Sequence, residues 1–231
     1  MMHSDHNDDI QHHRSSADDR VIVDAVLLST GIHPDPFAVL GRHGRGEQIV
    51  IRVFIPDAQA VKLADIGQSL RRLADTDLFE WRGAVDLLPL HYRLTWIDAA
   101  GCERTDYDPY SFSPQLSLYD LHLFNEGRHL HAYCVLGAHH RVVDGVTGVL
   151  FAVWAPNAER VSVVGDFNVW DGRRHPMRRR GATGVWEIFV PGLGEGTAYK
   201  YEIRGPGGHI LPLKADPVGF SSEHAPKNAS V

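Results

Sequence analysis

The chain has 231 residues, of which 43% are hydrophobic and 23% charged, and its formal net charge at neutral pH is −6. This composition is typical of globular proteins and leaves room for one large domain or two small ones. The acidic charge argues against partners that are bound by neutralising phosphates, so we expect neither nucleic-acid nor anionic-membrane binding. No apolar run approaches the roughly 20 residues of a membrane helix, and the polar start lacks the apolar segment of a secretory signal. The sequence therefore predicts a cytoplasmic protein.

Helical segments are few. Residues 1–17 are polar and without periodicity, which predicts a disordered tail. A short helix is expected over residues 21–28, ended by Gly31 and Pro34, and a second helical piece within 119–136. The rest alternates short β-branched and aromatic runs with Gly and Pro, which is the pattern of strands and turns.

Five short segments of the first half reappear in the same order about 100 residues later. The pairs are Val39-Leu40-Gly41 plus His43 with Val135-Leu136-Gly137 plus His139; Val53 to Ala58 with Val153 to Ala158; Phe79-Glu80 with Trp186-Glu187; Tyr92 to Leu94 with Tyr201 to Ile203; and Asp108 to Phe112 with Asp216 to Phe220. Such a repeat indicates a duplicated module, and about 100 residues is the size of an immunoglobulin-like sandwich. We predict a mainly β fold of two tandem immunoglobulin-like β-sandwich modules with short connecting helices. The expected boundaries are 18–114 for the first module, 115–138 for the connector and 139–231 for the second.

The second module shows its strands most clearly. The run over 149–154 is apolar on both faces, as expected of a strand covered on both sides. In 199–204 two tyrosines and an isoleucine alternate with charged residues, so one face is buried and the other meets solvent or ligand. Clusters of Gly and Pro over 191–196 and 205–208 predict hairpin turns. The first cluster leads into a strand and not a helix, which argues against a phosphate-binding loop.

The other polar clusters do not predict a nucleic-acid, metal or cofactor site. Five arginines within 173–180 form a candidate nucleic-acid patch, but the flanking Gly and Pro and the acidic chain favour a loop and a solvated strand edge. The histidines lack thiolate or carboxylate partners at metal-ligand spacing, so no metal and no cofactor are expected. Cys102 and Cys134 show no disulfide or zinc pattern.

One loop of the second module has the residue types of a sugar site. A strand over 161–165 leads into a loop that carries Asn168 and Trp170. Sugars are bound by stacking the C–H face of the ring on an aromatic side chain, while amides and charged groups bond the hydroxyls. Lys200, pointing outward between two tyrosines, is a further candidate donor. The competing interpretation is a core or corner tryptophan, and the residue types alone do not decide between the two.

The same loop carries a family resemblance. Gly165-Asp166-Phe167-Asn168 followed by Trp170-Asp171, with Phe151 to Ala158 upstream, resembles the signature of family 48 carbohydrate-binding modules. The segments 108–112, 123–129, 136–139 and 213–217 resemble the amino-terminal region of bacterial glycogen branching enzymes. The resemblance extends from about residue 20 to the end of the chain.

This resemblance implies a function. In that family an Asp nucleophile and a Glu acid/base act on a (β/α)₈ barrel that follows these modules. Such a barrel needs about 250 residues, so we assign no catalytic residue and expect this segment to be inactive by itself. The resemblance implies the glucan-binding part of an enzyme that cleaves α-1,4-glucan segments and transfers them to form α-1,6 branches. Its partners would be the barrel and an α-glucan such as glycogen, amylopectin or a maltooligosaccharide.

The site residues implied by the resemblance are Trp170 and Lys200, because a loop tryptophan and a strand lysine contact glucose in related modules. A second platform tryptophan of those modules falls near residues 207–209, where this chain has none. Three alternatives stay open: a stand-alone glycogen-binding or regulatory protein, a structural or interaction module without sugar binding, and the same region of a debranching or trehalose-forming hydrolase. The duplicated first module and the segment 213–217 favour branching.

Overall fold

The computed structural model describes residues 20–73 and 75–231; the tail predicted over 1–17 lies outside them. Helix α1 occupies described residues 20–29, and helix α2 occupies Leu118–Asn125. Both lie where the sequence predicts helical segments. None of the helices in these two described ranges is long and apolar enough to cross a membrane. The strands are β1 (Gly41–Arg45), β2 (Gln48–Phe54), β3 (Ala60–Leu63), β4 (Gln68–Ser69), β5 (Arg71–Arg72), β6 (Leu78–Ala84), β7 (Arg93–Ile97), β8 (Glu103–Tyr107), β9 (Gly137–Val143), β10 (Val146–Trp154), β11 (Arg160–Gly165), β12 (Arg178–Arg179), β13 (Val185–Pro191) and β14 (Tyr199–Arg204).

The strands form two sandwiches built on one plan. The first packs the sheet β1-β2-β6-β5 on the sheet β4-β3-β7-β8, and the second packs β9-β10-β13-β12 on β11-β14. All the pairs are antiparallel and the shared strands follow the same order. The predicted mainly β fold of tandem immunoglobulin-like sandwiches is confirmed.

The connector covers the second sandwich. One face of β10 contributes Val149, Phe151 and Val153 to the module core, and the other contributes Leu150 and Ala152 to a second cluster. That second cluster contains residues from the connector and from the end of the first module, including Phe112, Leu116, Leu121 and Leu136. The prediction of a strand buried on both sides is therefore confirmed, and the connector is the layer that buries the outer side.

Repeated sequence produces repeated hydrogen bonds. His43 Nε2 lies 2.9 Å from the Leu40 carbonyl oxygen, and His139 Nε2 lies 2.9 Å from the Leu136 carbonyl oxygen. Both histidines follow a glycine with positive φ, +88° in the first copy and +104° in the second. A side chain at Gly41 would also collide with the Tyr110 carbonyl. Glycine is therefore required where each module begins its first strand.

Each module also buries an aspartate beneath tyrosine hydroxyls. In the first module the Tyr92 hydroxyl donates to Asp108 Oδ2 and the Tyr110 amide donates to Oδ1 at 3.0 Å. Burial raises the pKa of Asp108 to about 6, although both hydrogen bonds lower it. In the second module the hydroxyls of Tyr199 and Tyr201 both donate to one oxygen of Asp216, at 2.7 and 3.0 Å.

One predicted hairpin is wrong. The Gly and Pro cluster over 191–196 connects β13 to β14, and these strands belong to different sheets. The turn is therefore a crossover between the layers of the sandwich. The cluster over 205–208 does reverse the chain, because Gly205 N donates to the His209 carbonyl and Leu211 N donates to the Ile203 carbonyl, each at 2.9 Å.

The predicted solvated arginine edge is also wrong at Arg178 and Arg180. The guanidinium of Arg178 lies 3.7 Å from the centroid of the Phe37 ring and donates to the Phe112 carbonyl at 2.5 Å. Arg180 donates to the Leu116 carbonyl and to the buried carboxylate of Glu187, each at 2.8 Å. These side chains face the first module and the connector, so the arginine run is part of the interface between the modules.

Candidate functional site

The loop after β11 has an unusual backbone. β11 runs into a single 3₁₀ turn, Asp166–Asn168, after which Val169 and Trp170 adopt left-handed conformations with φ of +60° and +58°. Such conformations are costly for side chains of this size and persist only where surrounding contacts hold them. One such contact is the Trp170 amide, which donates to the Gly165 carbonyl at 2.9 Å.

Asn168 holds the loop from inside. Its residue surface is only 2% exposed. Its Oδ1 accepts from Gly165 N at 3.0 Å, and its Nδ2 donates to the Val163 carbonyl and to His175 Nδ1, each at 2.9 Å. Its amide oxygen and nitrogen are both engaged within the loop, so the amide supports the turn and does not face solvent beside the indole.

The Trp170 indole is restrained by a hydrogen bond and is also partly exposed to solvent. Its Nε1 donates to Asp166 Oδ1 at 2.7 Å, while 36% of the residue surface is exposed. The ring is therefore held at one edge, and part of its surface is accessible. An indole restrained before a ligand arrives loses less conformational freedom on binding.

Lys200 lies at the same end of the β11–β14 sheet. In the register of the pair, Lys200 is opposite Val164, and Tyr199 is opposite Gly165, whose carbonyl binds the Trp170 amide. The two tyrosines of β14 point into the core, so Lys200 and Glu202 point outward. The loop crosses this outward face, since a Cβ added to Gly172 would meet the Glu202 carboxylate. The Lys200 Nζ donates to Asn228 Oδ1.

The buried histidine and tyrosine beside the loop are neutral at physiological pH. Burial lowers the pKa of His175 to about 4, with a further lowering by Arg174, so the imidazole is neutral at physiological pH and its Nδ1 accepts from Asn168. Burial raises the pKa of Tyr201 well above its ordinary value, ahead of the effect of Asp216. The arrangement offers an aromatic face and hydrogen-bonding groups but no activated acid, base or nucleophile. Within residues 20–73 and 75–231 no three His, Cys, Asp or Glu side chains cluster as metal ligands.

Sequence reasoning missed two members of this site. Asp166 orients the indole, and its place four residues before Trp170 in the same motif is a signal that was available in the sequence. Asn228 approaches Lys200 from a distant segment, and no local pattern predicts that contact. Where related modules carry a second tryptophan, Gly207 and Gly208 form a tight turn with φ of +82° and +80°.

Two family models match the chain, one for each sandwich. The model of the alpha-1,4-glucan branching enzyme GlgB N-terminal domain matches residues 23–110. The model of carbohydrate-binding module 48 (isoamylase N-terminal domain) matches residues 135–219. The second match contains the whole loop and β14, and therefore Trp170 and Lys200.

Relatives of the whole chain are similar over most of its length. The 1,4-alpha-glucan branching enzyme GlgB of Methylococcus capsulatus is 53% identical over 199 residues, which are 86% of this chain and 27% of that protein. The enzyme of the same name from Cellvibrio japonicus is 49% identical over 218 residues, 90% of this chain and 30% of that protein. Among solved structures, a pullulanase from Anoxybacillus sp. LM18-11 aligns at 16% identity and a TM-score of 0.33, over 83% of this chain and 27% of that one. The chain spans about 30% of the length of these curated relatives. The chain therefore carries a GlgB amino-terminal domain followed by a family 48 carbohydrate-binding module, and it corresponds to the amino-terminal region of the GlgB 1,4-alpha-glucan branching enzymes.

Proposed function

We propose that this chain is the glucan-anchoring region of a cytoplasmic enzyme that cuts α-1,4-glucan segments and rejoins them as α-1,6 branches during glycogen synthesis. The reaction would take place on a barrel domain like that implied by the resemblance, and the region described here would be inactive alone. Its task would be to hold a long polymer close to that barrel. Tethering raises the effective concentration of chain ends without adding chemistry.

The observation that supports this function is the restrained, partly exposed indole of Trp170, on the loop that crosses the outward face of the β11–β14 sheet to which Lys200 belongs. We propose that the ring stacks on the C–H face of a glucosyl unit and that the lysine donates to a hydroxyl, exchanging its bond to Asn228 for one to the sugar. Asn168 acts on this site as a positioning residue, because it determines where the loop places the indole.

For the domain organisation, we propose a first module over 18–114, a connector over 115–138 and a second module over 139–231. The connector proposed here includes the first two residues of β9, which begins at Gly137. The packing supports treating the connector as a layer of the second module, since its apolar side chains cover β10.

Electrophoresis through gels that contain glycogen tests the proposed site. Trp170→Ala is expected to reduce glycogen retardation by tenfold or more in apparent affinity, a difference of about 1.4 kcal/mol, and Lys200→Ala to reduce it less. Trp154→Ala is the matched control, because Trp154 is also exposed but lies on the sheet of β10. Equal retardation of the wild type and Trp170→Ala would remove Trp170 from the site.

The absence of catalysis in this region is tested separately. Incubation with amylose, followed by debranching and analysis of chain lengths, is expected to show no new α-1,6 linkages. Any branching by the 231-residue chain would contradict the assignment of the chemistry to a separate barrel.

A further inference from the structure

A cavity of about 100 Å³ lies where the two modules meet. The first module contributes Trp96, Asp106 and Tyr107 to its wall, and the second contributes Phe167 and Pro191. The cavity is thus bounded by β7 and β8 on one side and by the β11 loop and the end of β13 on the other. Neither module forms it alone.

Two residues that line this cavity carry a hydrogen-bond donor with no acceptor within the chain. Among residues 20–73 and 75–231, four buried side-chain polar atoms lack a hydrogen-bond partner, and two of them, Trp96 Nε1 and Arg174 Nε, belong to residues that line it. A buried donor without a partner costs about 1–3 kcal/mol, so such groups are rare and call for an explanation. An acceptor that enters from outside the chain would satisfy both.

The charged groups around the cavity favour a neutral ligand over an anion. Arg174 is already near a carboxylate, with Nε 3.9 Å from Asp171 Oδ2, and its Nη2 donates to the Pro56 carbonyl at 3.1 Å. Asp106 is exposed at the cavity, and its Oδ1 accepts from the adjacent Tyr107 amide at 2.8 Å. This carboxylate repels anions and accepts hydrogen bonds from hydroxyl groups.

Geometry places Asp106 beside the indole of Trp96. In the β7–β8 register, Leu94 is opposite Asp106 and Trp96 is opposite Arg104, so the Asp106 and Trp96 side chains leave the sheet on the same side. The second module approaches closely here, because a Cβ added to Gly192 would lie 3.3 Å from Asp106 Oδ1. An aromatic ring, unpartnered donors and a carboxylate acceptor therefore surround one small space.

We propose that this cavity is a second sugar site, which takes a terminal glucosyl unit of an α-glucan chain. The proposal rests on the proposed function and extends it to the junction between the modules. At about 100 Å³ the cavity is smaller than the roughly 150 Å³ that encloses a benzene ring, so it would take only one edge of a terminal unit, with the rest of that unit and of the chain outside it past Asp106. Trp96 Nε1 and Arg174 Nε would donate to ring hydroxyls, and Asp106 would accept from one.

Phe167 also connects this cavity to the loop of the first site. Phe167, Asn168 and His175 all line the cavity, and Asn168 holds the turn that carries Trp170. One polymer chain end at the junction and an internal segment on Trp170 would thus use opposite sides of the same loop.

The test is an NMR titration with maltotriose in a Trp170→Ala background, which removes the proposed platform of the first site. The indole N–H resonance of Trp96, assigned by its loss in Trp96→Phe, is expected to shift and saturate. Asp106→Asn is expected to weaken this binding at least fivefold, whereas Glu103→Gln, at an exposed acid on the same strand, leaves it unchanged. Inorganic phosphate is the anionic comparison and is expected to cause no shift.

A Trp96 resonance that stays unmoved by maltotriose, as it would if only water satisfies the two donors, overturns the proposal. So does a shift with phosphate in place of sugar, or equal effects of Asp106→Asn and Glu103→Gln. These outcomes are independent of the gel experiment. If the proposal for the Trp170 site is wrong, Trp170→Ala retains glycogen as the wild type does. If the proposal for the cavity is wrong, the Trp96 indole resonance does not shift with maltotriose.

Discussion

Replacing Arg178 by alanine is expected to destabilise the protein through the contact between its modules. The guanidinium lies over the Phe37 ring at 3.7 Å and donates to the Phe112 carbonyl at 2.5 Å. Burial lowers the pKa of Arg178 to about 10, so the side chain is still charged at neutral pH. A desolvated cation–π contact contributes about 2 kcal/mol and a hydrogen bond from a charged donor about 1.5–3 kcal/mol.

Removing the side chain also removes the cost of burying its charge, so the expected net loss is about 3 kcal/mol. Urea unfolding at pH 7, followed by tryptophan fluorescence and circular dichroism, measures it. Arg179→Ala is the matched control, since Arg179 is the next residue on β12 but is exposed, and its loss should stay below about 1 kcal/mol. If the two variants lost equal stability, the reasoning that Arg178 clamps the modules would be refuted.

Four further outcomes are expected in urea unfolding. Asp108 is buried, and its pKa is about 6 in the folded protein against an ordinary value of 3.8, so its contribution to stability is complete below about pH 4 and is lost as the pH rises through 6. Asp108→Asn should abolish this pH-dependent loss of about 3 kcal/mol. An unchanged pH profile in the variant would contradict this expectation. His175 has the opposite pH dependence, because its pKa is lowered from 6.5 to about 4: its contribution to stability is present above about pH 6.5 and is lost as the pH falls towards 4. His175→Asn should remove this loss of stability in acid without making stability more dependent on pH in any other range. At pH 7, Tyr92→Phe should cost about 1–3 kcal/mol of stability because Asp108 Oδ2 loses its hydroxyl donor. Tyr201→Phe should cost less, because Tyr199 still donates to the same oxygen of Asp216. Equal losses of stability in the two variants would contradict this difference. Asn168→Ala should lower stability by about 1–3 kcal/mol and weaken glycogen retention together, and retention at the wild-type level would show that the loop does not need this amide.

The repeat was the most informative signal in the sequence, because it carries information about tertiary contacts that periodicity lacks. Val53 and Val153, matched by the repeat, pair in the sheets with Phe79 and Trp186, which are also matched. A duplicated segment preserves its partners along with its residues. The repeat therefore predicted that the two halves share one fold, although it did not identify which strands are neighbours.

The errors arose where local pattern carries no information on distant partners. Arg178 is 66 residues from the carbonyl that it binds, so its solvated appearance in the sequence reflects only its immediate neighbours. The cluster over 191–196 has the composition of a tight turn, but composition does not say whether the two strands share a sheet. Asn168 is a different case: its amide holds the turn that carries Trp170, which no local pattern indicates, and its contact with the sugar stays a prediction.

The two copies differ at the positions that form the candidate site, which explains why only the second is proposed to bind glucan there. After β3 the first copy returns at once into β4, which pairs back on β3 at Lys62 and Ser69. After β11 the second copy instead extends the loop that carries Trp170. The repeat also matches Lys200 with the residue before Tyr92, which is His91.

His91 is not available to a ligand. Its ring stacks on Phe112 with centroids 3.9 Å apart, and its Nε2 lies 2.9 Å from Asp144 Oδ2 of the second module. The position that presents a lysine outward in one copy therefore joins the modules in the other. Under the proposed function one scaffold serves two purposes: the first copy uses His91, which precedes β7, to contact its neighbour, and the second is proposed to bind the polymer at the corresponding face, which carries the Trp170 loop.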